Sequence, residues 1–211
     1  MAQRSMITLN PRKTPVQARS TASVDAILEA TLQVLLEVGK ERLTTTRVAQ
    51  RAGVSVGTLY QYFPNKSALL QALLRQHFDG VLEAVERICR EQAGKTLEEM
   101  ATALIRAFLA AKMADGKASV ALYAVSSDVE GAKLAKGVEA RANKAILAML
   151  ATSSEALNKD PQLVASILQG AMSGVSRRLL ESGAREKDFR ELREELVLFA
   201  RSYLRGCAGR K

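Results

Sequence analysis

The sequence predicts an all-α protein of about nine helices, on three observations. No window alternates apolar and polar residues with the β-branched enrichment of a strand. Leu and Ala dominate the apolar positions. Those positions recur at spacings of three and four, which places them on one face of a 3.6-residue helix.

The elements follow in order. Residues 1–19 hold Pro11 and Pro15 among polar and basic residues and read as a flexible basic arm. Apolar residues at 24, 27, 28, 32, 34, 35 and 38 form the first stripe, with Ser23 placed as N-cap and Gly39 as stop. Thr44 is placed to open a very short helix, TTRVAQRA, that Gly53 ends. Ser55 is placed to open a second, VGTLYQYF, that Pro64 stops. Asn65 caps a long pattern with apolar residues at 69, 70, 73, 74, 78, 81, 82, 85 and 88, ending at Gly94. Thr96-Leu97-Glu98-Glu99 spells a capping box, in which hydroxyl and carboxylate each satisfy an orphan N–H. That helix runs to about Lys112, and Asp115-Gly116 closes a loop. Residues 117–157 read as two helices broken near 128–131. Asp160-Pro161 puts an acceptor at the N-cap and Pro at the first helical position of a helix reaching Ser182, with Gly183 as its stop. Asp188 with Glu191 opens the last helix, whose apolar face is Phe189, Leu192, Leu196, Phe199, Tyr203 and Leu204.

Composition bounds the function. A 47% hydrophobic fraction over 211 residues suffices for a packed core. No apolar run approaches the ~18 residues that a membrane helix needs, and the first residues hold no secretory h-region. Cys89 and Cys207 stand far apart in no metal or redox spacing, so they read as free thiols, and the expectation is a cytoplasmic protein with no metal and no cofactor. The net charge of +9 is uneven. Residues 1–75 carry ten Lys and Arg against four acids, while the rest of the chain is nearly balanced. A basic front end on a balanced body points to a polyanion partner.

The two short helices carry the next inference. Helices of about eight residues are marginal alone in water, so packing must hold them. Gly53 suits the sharp turn between them because it tolerates positive φ. Val48, Ala49, Ala52, Val54, Leu59 and Phe63 supply an apolar wedge. This is the logic of a helix-turn-helix, whose second helix enters a DNA major groove. Scarce aromatic residues cluster here too: Tyr60, Tyr62 and Phe63.

The stretch LTTTRVAQRAGVSVGTLYQYFPNKSALL, residues 43–70, resembles the N-terminal DNA-binding domain of TetR-family transcriptional regulators. Upstream, RKTPVQARS and VDAILEATLQVLLEVG resemble that family's arm and first helix. The resemblance covers residues 12–74 or so. It implies a three-helix DNA-binding domain over 20–66, behind the 1–19 arm, and a helical effector-binding and dimerisation domain over 67–211. It implies DNA contacts from Thr44, Thr46 and Arg47 at the groove edge. Ser55, Val56, Gly57 and Thr58 fall at the recognition-helix start, and Tyr60, Gln61 and Tyr62 on its reading face. Lys66 and the arm residues Arg12, Lys13 and Arg19 fall to phosphates. The recognition helix holds no Arg or Lys. Base reading is therefore expected from Gln61, Thr58 and hydroxyls, with Val56 against thymine methyls.

One rival motif is present. Gly53-Val54-Ser55-Val56-Gly57 spells the G-x-S-x-G of a hydrolase nucleophile elbow, which needs a strand before the Ser and an acid then a His after it. A helical pattern precedes Ser55, no acid lies between it and His77, and His77 is the only histidine. The expectation is a protein without catalysis.

In the C-terminal part, Ile167, Gly170, Ala171 and Gly174 lie on a helix rich in small residues. Two interior glycines cost about 1 kcal/mol each against Ala, and close helix approach would justify them, either within the chain or between chains. With Leu196, Phe199 and Tyr203 of the last helix, the segment resembles the family's two-helix-per-subunit dimer bundle. The family also implies a cavity for a small molecule, with candidate walls at Phe78, Met100, Leu104, Phe108, Tyr123 and Met149. Asp115, Asp128 and Glu130 offer carboxylates to a cationic ligand or simply to solvent. The expectation is a homodimeric repressor on a palindromic double-stranded DNA operator, released by an effector. The alternative is a ligand-independent architectural DNA binder.

Overall fold

The computed structural model describes residues 18–182 and 186–209. Its described residues form nine α-helices and one 3-10 turn: α1 Ala18–Arg42, α2 Thr45–Arg51, α3 Val56–Tyr62, α4 Lys66–Glu91, α5 Leu97–Met113, α6 Gly116–Val125, the turn Ser126–Asp128, α7 Gly131–Leu150, α8 Pro161–Glu181 and α9 Glu186–Cys207. The one strand-like feature among them is an isolated antiparallel bridge between Leu157 and Ala208. The chain divides into two compact units. One comprises residues up to Gln76 with Ala121–Ala132, the other His77–Val120 with the residues from Lys133 onward.

In the first unit, α1 buries Ile27, Leu28, Val34 and Leu35 on one face, as the stripe predicts. Ser23 lies inside α1 rather than at its N-cap. Gly39 interrupts it with φ 73. Leu59, Phe63, Leu69 and Leu74 are fully buried, so α3 and the start of α4 are fastened by apolar side chains. The segment from Ala121 to Ala132 ends in a tightly fitted corner. Val129 is wholly buried, and Gln71 of α4 donates from Nε2 to its carbonyl at 3.2 Å.

The second unit is built on one continuous core from α4, α5, α7, α8 and α9. α5 packs along α9, and α8 against both. The Thr96–Glu99 capping box is present in both directions. Asp160 caps α8 through Gln162 N–H, with Pro161 in the first turn. Asp115-Gly116 is a helix start rather than a closed loop: Asp115 Oδ1 accepts from Ala118 N–H at 2.8 Å and α6 begins at once. An Asp-Gly pair signals a turn and an N-cap alike. Asp188 lies inside α9 rather than at its N-cap, and Gly183 lies outside the described residues.

Candidate nucleic-acid interface

The geometry of α2 and α3 is set by caps. Thr44 accepts from Arg47 N–H, and Ser55 from Thr58 N–H at 2.9 Å. The Ser55 and Thr58 hydroxyls also share a hydrogen bond of 2.8 Å. Ser55 is thus a capping residue, preceded by α2 and a turn and not by a strand. In that turn Gly53 takes φ 67, and Val54 N–H returns to Ala49 C=O at 3.0 Å. α2 buries Val48 and Ala49 and α3 buries Leu59, so the two helices meet on their apolar sides.

The opposite side of α3 is open. Val56 is 36% and Tyr60 39% exposed; Ser55, Gly57 and Gln61 are exposed as well, while Thr58 and Tyr62 are half-buried. Tyr60 is also tied back, since its hydroxyl and that of Thr45 lie 3.0 Å apart. Phe63 is 2% exposed and belongs to the core. Thr46 and Arg47 are exposed on α2.

The basic residues around this face have inward duties. Lys66 Nζ donates to Lys40 C=O at 2.7 Å, Arg47 Nη1 to Arg42 C=O at 3.1 Å, and Arg42 Nε to Val38 C=O at 3.1 Å. Three cations thereby satisfy the last carbonyls of α1 and complement its C-terminal dipole. Each keeps further donors, because an ammonium has three and a guanidinium five. Arg42 has no role in the sequence reading. Arg51 is held by Glu37. Arg12 and Lys13 lie outside the described residues, as does the side chain of Arg19.

The remaining candidates divide by burial. Met100, Leu104, Phe108 and Met149 are packed in the second unit's core. Phe78 is half-buried in that unit beside His77, and Tyr123 is half-buried in the first unit. A surface groove of about 490 Å3, lined by Gln92, Thr96, Glu98, Thr102, Arg106 and Arg201 among others, includes none of these six. Ile167 and Phe199 are exposed, at 41% and 43%, and Phe199 stacks on Tyr203. Gly170 is exposed, and Ala171 and Gly174 are half-buried. Leu196 is 5% exposed and lies in the core, whereas Leu198, two residues on, is 60% exposed. Leu163 and Val175 extend the exposed face of α8. Their spacing of four with Ile167 and Ala171 is legible in the sequence as a second apolar stripe.

Among the described residues, no group of three or more His, Cys, Asp or Glu is placed to hold a metal ion, and no helix is long and apolar enough to cross a membrane. A capped, apolar-fastened helix pair with an exposed second helix is the geometry of a helix-turn-helix, the motif whose second helix enters a DNA major groove. The chain matches the family described as bacterial regulatory proteins, tetR family, over residues 27–73. It matches the tetracyclin repressor-like C-terminal domain over residues 96–204. The chain belongs to the TetR family. It is 43% identical over 61 residues to the HTH-type transcriptional repressor KstR of Mycolicibacterium smegmatis, covering 29% of this chain and 30% of that one. The chain thus matches only about a third of that relative's length. Among solved structures, a TetR-family transcriptional regulator from Mesorhizobium loti superposes with a TM-score of 0.75 at 18% identity, over 92% of this chain and 100% of that one. The TetR-like regulator LfrR from Mycobacterium smegmatis, solved in complex with proflavine, gives 0.55 at 20%, over 87% and 96%.

Proposed function

We propose that this regulator is a repressor. It acts as a homodimer on a palindromic double-stranded operator and is released by a small-molecule effector. Residues 20–66 serve as the reading head, with the 1–19 arm on phosphates, and 67–211 as the sensing and dimerising part. The observation that carries the reading is the exposed face of α3, where Val56, Gly57, Tyr60 and Gln61 stand outward on a helix that Leu59 and Phe63 hold in place. Gln61 reads an adenine edge, Val56 meets a thymine methyl, and Thr44, Thr46, Arg47, Ser55, Thr58, Tyr62 and Lys66 position the head.

Dimerisation is supported from α8. A Cβ added at Gly170 or Gly174 meets nothing within 4 Å in the protomer. Packing within the chain therefore gives no reason for these glycines, and approach by a second copy does. Ile167, Ala171, Phe199 and Tyr203 complete that face, joined by Leu198 in place of the buried Leu196. Ligand release draws support from the neighbour solved with proflavine and requires an effector that prefers the non-binding state. The test is selection of bound sequences from a random DNA pool. A two-fold symmetric motif with half-sites one helical turn apart, ~34–36 Å, is expected; enrichment without symmetry or without sequence preference contradicts the reading.

A further inference from the structure

Gln71 stands apart on the buried face of α4. Leu69, Leu70, Leu73 and Leu74 around it are at most 4% exposed, and Gln71 itself is 8% exposed. The buried polar residues among those described are Thr31, Gln71, Ser119 and Ser176. Thr31 and Ser176 bond carbonyls of their own helices, those of Ile27 and Ser173. Ser119 bonds the Lys112 carbonyl, seven residues back. Gln71 reaches much further, to the Val129 carbonyl 58 residues on, at 3.2 Å. A buried amide costs free energy unless it finds a partner, and a Met would fill the same length without that cost.

The partner segment is tightly built. Val129 is wholly buried. Its N–H returns to Ser126 C=O at 3.4 Å, and Ser126 Oγ donates to Tyr123 C=O at 2.7 Å. Glu130 takes φ 53, a left-handed backbone uncommon outside glycine. A Cβ on Gly131 would fall 2.6 Å from the Ser126 carbonyl oxygen. Leu122, Val125 and Val129 are at most 2% exposed, yet they take no part in the second unit's core. The segment that carries them, Ala121–Ala132, belongs to the unit of the helix-turn-helix.

α4 in turn holds the reading helix. Lys66 Nζ ties its start to Lys40 C=O at the end of α1, and Asn65 Oδ1 caps it on Ala68 N–H at 2.8 Å. Leu69 and Leu74 are buried in the same unit as Leu59 and Phe63 at α3. Gln71 lies five residues beyond Lys66, about 7.5 Å along the helix axis.

We propose that the operator-reading head is discontinuous, with Ala121–Ala132 an integral part of it. Gln71 is a positioning residue whose hydrogen bond to Val129 keeps α4, and with it α3, in the operator-binding geometry. The inference rests on the operator reading above and redraws the head, from residues 20–66 to those up to Gln76 together with Ala121–Ala132. Operator affinity draws on the bond because the bond is stronger in the operator-competent state than in the rest of the free ensemble. By reciprocity, bound operator then stabilises the corner by the same factor, although the corner makes no operator contact in this reading.

The test uses the full chain and the operator selected from the random pool. Amide hydrogen exchange is measured with and without operator, alongside operator affinity and melting temperature. In the wild type, operator is expected to slow exchange across Ala121–Ala132 about fivefold, within the range that one buried hydrogen bond supplies, and to leave α8 and α9 nearly unchanged. Gln71→Met keeps the length and removes the donor. It is expected to lose that protection and about fivefold in operator affinity, with sequence preference and salt slope retained because no base or phosphate contact is lost. Thr31→Val removes another buried hydrogen bond from the same unit and is expected to bind operator as the wild type does. A general loss of stability would weaken both variants alike, so equal affinity losses at equal melting temperatures overturn the inference. Unchanged affinity in Gln71→Met overturns it too. Should Gln71→Met fail to fold, the wild-type exchange decides: no protection of Ala121–Ala132, or equal protection of α8 and α9, overturns the inference and leaves the operator reading standing. If no sequence is selected from the pool, the operator reading falls and the inference falls with it.

Discussion

Gly57 separates what the fold needs from what the operator needs. It sits in the first turn of α3 with ordinary helical backbone, and a Cβ added there has Ser55 Oγ as its nearest neighbour at 3.7 Å, an ordinary van der Waals contact. Replacing Gly by Ala in an unobstructed helical position stabilises the helix by about 0.8–1 kcal/mol. In a chain of this size that raises the melting temperature by about 2–4 °C. The fold therefore gains from Gly57→Ala, and under the proposed function the glycine serves close approach to DNA. Operator affinity is expected to fall at least tenfold, ~1.4 kcal/mol. Scanning calorimetry and fluorescence anisotropy on the selected operator read the two effects separately. The matched control is Gly53→Ala. There φ is +67 and nothing lies within 4 Å, so backbone strain alone costs about 1–2 kcal/mol and the melting temperature drops. If Gly57→Ala melts lower, or binds operator with unchanged affinity, the reasoning about α3 is wrong.

Three further outcomes are expected. Gly131→Ala puts a Cβ 2.6 Å from the Ser126 carbonyl oxygen, costs about 1–3 kcal/mol by overpacking, and lowers the denaturant midpoint; an unchanged midpoint contradicts the fitted corner at Val129. Gly170→Ala and Gly174→Ala are expected to raise helical stability yet weaken self-association in sedimentation equilibrium, and unimpaired association removes α8 from the dimer interface. His77 is the only imidazole, and its folded pKa of about 4 lies below the ordinary 6.5. Stability is therefore fully present above pH 6.5 and is lost as pH falls toward 4, because the unfolded chain takes up a proton that the folded one refuses. The loss is on the order of 2–3 kcal/mol, and His77→Gln should flatten it. A native imidazole resonance titrating near 6.5 contradicts this.

The parts of the fold that were legible are those written in local chemistry. Thr44, Ser55, Asn65, Thr96 with Glu99, and Asp160 with Pro161 each announce a helix start through a side chain that reaches its own backbone. A hydroxyl residue inside a helix looks like a cap in sequence, and Ser23 of α1 is one. Burial was less legible than helicity. An apolar stripe does not say what covers it, so Leu196 and Leu198 exchange roles, and Met100, Leu104 and Met149 sit in packed core. The inward bonds of Arg47 and Lys66 to the end of α1 depend on how α1, α2 and α4 meet, which no spacing along the chain encodes.

Under the proposed function, an uncharged α3 reads sequence while cations outside it supply electrostatic affinity. The direct measurement compares wild type and Gln61→Ala in the same random-pool selection, with operator affinity followed against salt. The claim predicts relaxed preference at one base pair in each half-site, with the slope of log affinity against log salt unchanged, since no phosphate contact is lost. Retained preference at every position, or a slope reduced by about one, contradicts it.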